Sequence, residues 1–200
     1  MKFNVPTKLC FLRIFLAIIV IILLLFPFYR LDITFPQLLY KNILIDLRYI
    51  IAGIIFIFAS ITDYFDGKIA RKRKQVTNFG KMIDAIADKV LVNSVLIIFA
   101  SQGFISPFIP VIVIVRDIIV DAIKLSVAKE GSQQAAIFSG KLKTASLMIG
   151  MILTFFYNLP FELIGLNVSS FFLYFGTIMS IVSAYEYYRL NKKIILSEFL

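Results

Sequence analysis

Asp63, Asp66, Asp84 and Asp88 are the residues whose type and spacing most clearly suggest chemistry. They sit among apolar neighbours in the stretch from Ser60 to Val90. A carboxylate at mid-helix depth in a membrane costs about 2.5–3.5 kcal/mol, so four of them, uncompensated, cost on the order of 10 kcal/mol. Residues at that cost persist when they pair with cations or line a polar cavity. Asp63 and Asp66 are three apart and Asp84 and Asp88 four apart, so each pair shares one face of a helix. The chain has no histidine and a single cysteine, Cys10. Any metal is therefore expected to be held by oxygen, which favours magnesium, manganese or calcium. Four converging carboxylates have the capacity for two divalent cations, a pair that suits phosphoryl-type displacement.

The neighbours extend this reading. Gly67 follows Asp66, and Ala70 lies one helical turn on, so a ligand has room against the backbone. Arg71 offers a planar charged fork for phosphate, and Gly80 opens the second acidic helix. Taken singly, Asp66 with Gly67 reads as a turn and Arg71 as a helix-end anchor. In the second half, Arg116, Lys124, Lys141 and Lys143 form a group of cations that implies an anionic acceptor. Lys124 and Lys143 read equally well as anchors of helix ends. Arg116, deeper in an apolar run, is the stronger candidate. Cys10 reads as a small packing residue.

These residues need a scaffold, and the composition defines its class. Sixty per cent of the 200 residues are hydrophobic and 16% are charged, against about 45–50% and 25% in soluble domains. A chain of this length cannot bury that much apolar surface in one core, so the expectation is an all-α, polytopic membrane protein forming one domain over 1–200. A soluble enzyme, a disordered tail and a disulfide scaffold are excluded. Six spans are expected, at 11–29, 47–66, 80–102, 107–128, 142–159 and 168–190. A short basic amphipathic segment with Lys2 and Lys8 precedes the first, whose length argues against a cleaved signal.

The net charge is +9. Apart from Arg30, Lys41, Arg48 and Arg116, every Lys and Arg falls on one side if both termini are cytoplasmic. That rule accounts for the basic excess without nucleic acid. It also puts the acidic site at the cytoplasmic face of the cell membrane, because the basic run after Ala70 joins the two acidic helices. With no tryptophan in the chain, Tyr29, Tyr40, Tyr49, Tyr185, Tyr187 and Tyr188 are expected to supply the interfacial belt.

Read together, Asp63, Asp66, Gly67, Ala70, Arg71, Gly80, Asp84 and Asp88 spell D-x2-D-G-x2-A-R-x8-G-x3-D-x3-D. This resembles the signature of the CDP-alcohol phosphatidyltransferase family at every fixed position. The resemblance implies transfer of a phosphatidyl group from CDP-diacylglycerol to a small alcohol, with release of CMP. It also implies that Asp63, Asp66 and Asp84 bind two divalent cations, Mg2+ or Mn2+. Asp88 would complete the second site and act as general base. Asp66, Gly67, Ala70, Arg71 and Gly80 would lie against the nucleotide.

The stretches VRDIIVDAIKL and SGKLKT are similar to the branch of the family whose acceptor is sn-glycerol 3-phosphate, which implies Arg116, Lys141 and Lys143 on the acceptor phosphate. The opening NVPTKLCFLR also resembles that branch. Thr7 and Cys10 stand where Asn and Thr are usual, and Arg13 is retained as a lipid or nucleotide contact. Members are typically homodimers surrounded by membrane lipids. Two alternatives remain at this point. One keeps the chemistry with another acceptor, inositol phosphate or phosphatidylglycerol. The other is a cation transporter, since intramembrane acids also mark ion pathways.

Overall fold

The computed structural model describes residues 5–41, 43–72, 78–129 and 137–197, with the side chains at 5, 6, 64–72, 78, 81, 129 and 193–197 left outside the description. Long apolar runs broken by turn and charge signals become the helices α1 (Val5–Leu25), α2 (Leu47–Lys72), α3 (Asn78–Ser101), α4 (Phe108–Lys129), α5 (Phe138–Phe155) and α6 (Val168–Ser197). Each expected span falls on one of them. Among the described residues, two of these helices contain a window long and apolar enough to cross a membrane by composition, Thr7–Leu25 in α1 and Val168–Lys192 in α6. The four aspartates and the cations of the second half lie on the other four.

The all-α class holds. One expectation needs correction: the segment around Lys8 is not separate, because α1 is continuous from Val5; Lys2 lies outside the described residues. One small element was not expected, since β1 (Gln37–Tyr40) and β2 (Ile43–Asp46) pair antiparallel in the α1–α2 connection, Gln37 opposite Asp46 and Tyr40 opposite Ile43. Branched Ile43 and Ile45 favour extended backbone, and Lys41 takes φ +53° at the turn. Asp46 then caps α2, its Oδ1 accepting the Arg48 backbone N–H at 2.9 Å.

The main core draws Ala17 and Val20 from α1, Ala52 and Phe56 from α2, Leu91, Val95 and Phe99 from α3, and Met151 and Phe155 from α5. Phe155 sits edge-on to Phe99 at 4.7 Å between ring centroids. A smaller cluster of Val120, Ile123, Val127 and Tyr187 joins α4 to α6.

α2 and α3 each pack chiefly along α1, and Arg13 of α1 stands between them near the acids. Polar contacts show how the helices alternate. The first halves of α1, α3 and α5 meet the second halves of α2, α4 and α6 at one end of the bundle, through Arg13–Asp63, Lys89–Asp121 and Ser139–Glu186. At the opposite end Gln102 accepts from the Tyr49 hydroxyl at 2.6 Å and donates to the Leu24 carbonyl at 3.2 Å.

Candidate active site

Arg13, on α1, is fully buried, and its Nη1 lies 2.7 Å from Asp63 Oδ1 and 3.0 Å from Asp84 Oδ1. Its guanidinium bridges the two acidic helices. A buried cation needs charged partners, and those partners come from the two halves of the aspartate motif. Their shared atom keeps the two carboxylates within about 6 Å of each other. Arg13 faces them from the buried side only; the Asp63 and Asp84 side chains remain 41% and 46% exposed. Cys10, one turn before Arg13, directs its thiol to Asp84 Oδ1 at 3.7 Å, so it borders the acids rather than merely filling space.

Asp88 lies one turn further along α3 than Asp84. It is within electrostatic reach of Asp63, Asp84 and Arg13 on one side and of Lys143 on the other. It also lines a cavity of about 580 Å³ together with Lys89, Arg116, Lys124, Lys141, Lys143 and Gly140. All three residues expected to take an acceptor phosphate, Arg116, Lys141 and Lys143, therefore share one cavity with the expected base. Gly80 is the third residue of α3. Asp66, Gly67, Ala70 and Arg71 fall on α2, but their surroundings lie outside the described residues.

Within the cavity the cations have definite supports. Arg116 donates from Nη1 to Asp117 Oδ1 at 2.9 Å, from Nη2 to Ser183 Oγ at 2.7 Å, and from Nε to the Ser180 carbonyl at 3.3 Å. Lys143 donates to the same Asp117 oxygen at 2.5 Å. Lys89 is paired with Asp121. Arg116 and Lys124 both lie over the Tyr187 ring, 5.7 and 5.2 Å from its centroid. Tyr187 is thus a buried platform at 3% exposure and not part of an interfacial belt. Tyr29 and Tyr185 are exposed, at 71% and 64%, as a belt requires.

Asp117, Asp121 and Lys89 are charged cavity residues that sequence reasoning gave no role. One signal was available: Asp117 and Asp121 repeat the four-residue spacing of Asp84 and Asp88 on a helix that also carries cations.

The donor chemistry suits hard divalent cations. Asp63, Asp84 and Asp88 offer only carboxylate oxygens, and two of them already share a cationic atom of Arg13.

The chain matches the family described as CDP-alcohol phosphatidyltransferase over residues 3–182. It belongs to that family. As a CDP-alcohol phosphatidyltransferase it is an enzyme of a membrane-embedded family. It is 35% identical over 189 residues to the CDP-diacylglycerol–glycerol-3-phosphate 3-phosphatidyltransferase of Bacillus subtilis, covering 94% of this chain and 95% of that one. The enzyme of the same name from Haemophilus influenzae is 34% identical over 197 residues, covering 96% and 95%. That from Pectobacterium atrosepticum is 30% identical over 193 residues, covering 94% of each.

Proposed function

We propose that this CDP-alcohol phosphatidyltransferase moves the phosphatidyl group of CDP-diacylglycerol to sn-glycerol 3-phosphate, giving phosphatidylglycerophosphate and CMP. The observation that carries the acceptor is the cavity holding Asp88. Its lining has the cations Lys89, Arg116, Lys124, Lys141 and Lys143 against the carboxylates Asp88, Asp117 and Asp121, an excess of two positive charges. A phosphomonoester carries about −1.5 to −2 at pH 7, which matches. Inositol phosphate shares that charge and remains the nearest rival; a neutral or cationic alcohol leaves the excess unanswered. The relatives named for glycerol 3-phosphate point the same way.

In this reading Arg116, Lys141 and Lys143 hold the acceptor's phosphate and so set the distance of its free hydroxyl from Asp88. Asp88 takes the hydroxyl proton. The freed oxygen attacks the phosphatidyl phosphorus, the bond from that phosphorus to CMP breaks, and CMP leaves with the electron pair. Asp66, Gly67, Ala70, Arg71 and Gly80 receive the nucleotide. Asp63, Asp66, Asp84 and Asp88 would hold two divalent cations, Mg2+ or Mn2+. When bound, these neutralise pyrophosphate charge and stabilise the departing nucleotide.

The enzyme is placed in the cytoplasmic membrane with six spans, both termini and the active site on the cytoplasmic side, as a homodimer among membrane lipids. The distribution of Lys and Arg and the alternation of helix directions support that orientation. The acids gather at one end of the bundle and not through its midplane, which argues against a transporter.

The test uses purified protein in detergent with CDP-diacylglycerol, Mg2+ or Mn2+, and separate acceptors. CMP and phosphatidylglycerophosphate appearing only with glycerol 3-phosphate support the proposal. Equal or faster CMP release with inositol phosphate or phosphatidylglycerol rejects the acceptor. No release with any acceptor rejects the reaction.

A further inference from the structure

Two of the cations assigned to the acceptor phosphate already hold an anion. Asp117 Oδ1 receives Arg116 Nη1 at 2.9 Å and Lys143 Nζ at 2.5 Å. The three side chains are nearly buried, at 13% exposure for Asp117, 11% for Arg116 and 8% for Lys143, yet all three line the cavity. A carboxylate oxygen shared by an arginine and a lysine receives the same charge-assisted contacts that a phosphate oxygen would. Arg116 is also fixed from behind by Ser183, the Ser180 carbonyl and Tyr187. Its Nη1 is the nitrogen directed at Asp117. Among the described residues Lys124 and Lys141 have no ion-pair partner.

We propose that Asp117 is the resident occupant of the anion subsite and determines its selectivity by charge. In the substrate-free enzyme Asp117 holds Arg116 and Lys143 in their binding positions, and an incoming anion competes with it for both. A monoanion only equals the resident carboxylate, and it meets repulsion from it. A dianion draws more strongly on the same two cations and also on Lys124 and Lys141, so it wins the exchange. Asp117 therefore biases the pocket toward phosphomonoesters and against carboxylates of similar size. The inference rests on the acceptor reading above.

The experiment measures glycerol 3-phosphate saturation, and competitive inhibition by D-glycerate and by inorganic phosphate, in the full-length, metal-loaded enzyme. The first arm uses wild type alone. Inorganic phosphate should inhibit in proportion to its dianion as pH rises through its second ionisation, and glycerate should bind about tenfold or more weakly, the scale of one charge-assisted contact. The second arm uses Asp117→Asn. Glycerate inhibition should strengthen by about tenfold relative to the glycerol 3-phosphate KM measured in the same variant. Asp117→Glu, which keeps the charge, should retain the wild-type preference.

Wild-type enzyme that binds glycerate as well as phosphate overturns the proposal, whether or not the variants fold. So does Asp117→Asn losing both anions in equal proportion, which would make Asp117 a mere support for Lys143. Insensitivity of wild type to every phosphate, with turnover on an uncharged acceptor, would instead reject the acceptor reading itself.

Discussion

Among the described residues Asp88 belongs to both halves of the site, lining the cationic cavity while feeling Asp63 and Asp84. Removing its charge should therefore separate binding from chemistry. Asp88→Asn is expected to lower kcat by about 10²–10⁴-fold, the usual contribution of a placed base, while CMP binding, measured by equilibrium dialysis, largely survives; a kcat within threefold of wild type would remove Asp88 from that role. Arg116→Ala should raise the glycerol 3-phosphate KM by about tenfold or more, the scale of a lost charge-assisted contact, and leave the CDP-diacylglycerol KM nearly unchanged. If acceptor saturation does not move, the cavity is not the acceptor site. That Asp63, Asp84 and Asp88 come together was legible in the sequence, because charge in an apolar run is costly and wants company; Asp66 lies outside the described side chains. The role of Arg13 was not legible, because what defines it is two carboxylates far along the chain, 71 positions away in the case of Asp84. Asp117 was passed over for the opposite reason: beside Arg116 in sequence it looked like a neighbour, and only the fold brings Lys143 onto the same oxygen.

The helices themselves were legible from apolar run lengths, and what escaped was how they pair. Periodicity says which face of a helix is apolar but not which neighbour covers it, so the packing of α1 along both acidic helices had no sequence signature. The β1–β2 hairpin was missed because the stretch 30–46 between two expected spans read as loop, and four-residue strands carry little pattern. The tightest pairing is α5 with α6, where two glycines let the backbones close. A Cβ on Gly150 would come within 2.7 Å of Leu173 Cγ and 3.0 Å of its backbone nitrogen, and one on Gly176 within 2.9 Å of Leu147 Cγ and 3.2 Å of its backbone nitrogen. Backbone atoms cannot swing aside as a side-chain tip can. Gly150→Ala is expected to destabilise the bundle by about 1–3 kcal/mol, the range for overpacking, read as an earlier thermal transition in detergent. The functional cost should follow, because α5 carries Lys143 and α6 carries Ser183 and Tyr187, the supports of the cavity. An unchanged transition would mean that α5 and α6 are not packed this closely.

At the scale of the whole molecule, function requires a particular sidedness. α2 has 26 residues, about 39 Å at 1.5 Å per residue, against a hydrocarbon core of about 30 Å; its charged last turns therefore extend beyond the apolar slab, where a water-soluble nucleotide can reach them. The exterior agrees with lipid contact, with Phe15 on α1, Ile118 on α4 and Phe171 on α6 between 59% and 64% exposed. Sidedness can be tested with single cysteines in a Cys10→Ser background. Leu39, 73% exposed on the hairpin, and Lys192, near the end of α6, sit at opposite ends of the bundle. Leu39→Cys should react with a membrane-impermeant maleimide in intact cells, and Lys192→Cys only after the membrane is opened. The reverse pattern would put the aspartates and the cationic cavity outside the cell, away from any cytoplasmic supply of CDP-diacylglycerol and glycerol 3-phosphate, and the proposed reaction could not be the physiological one.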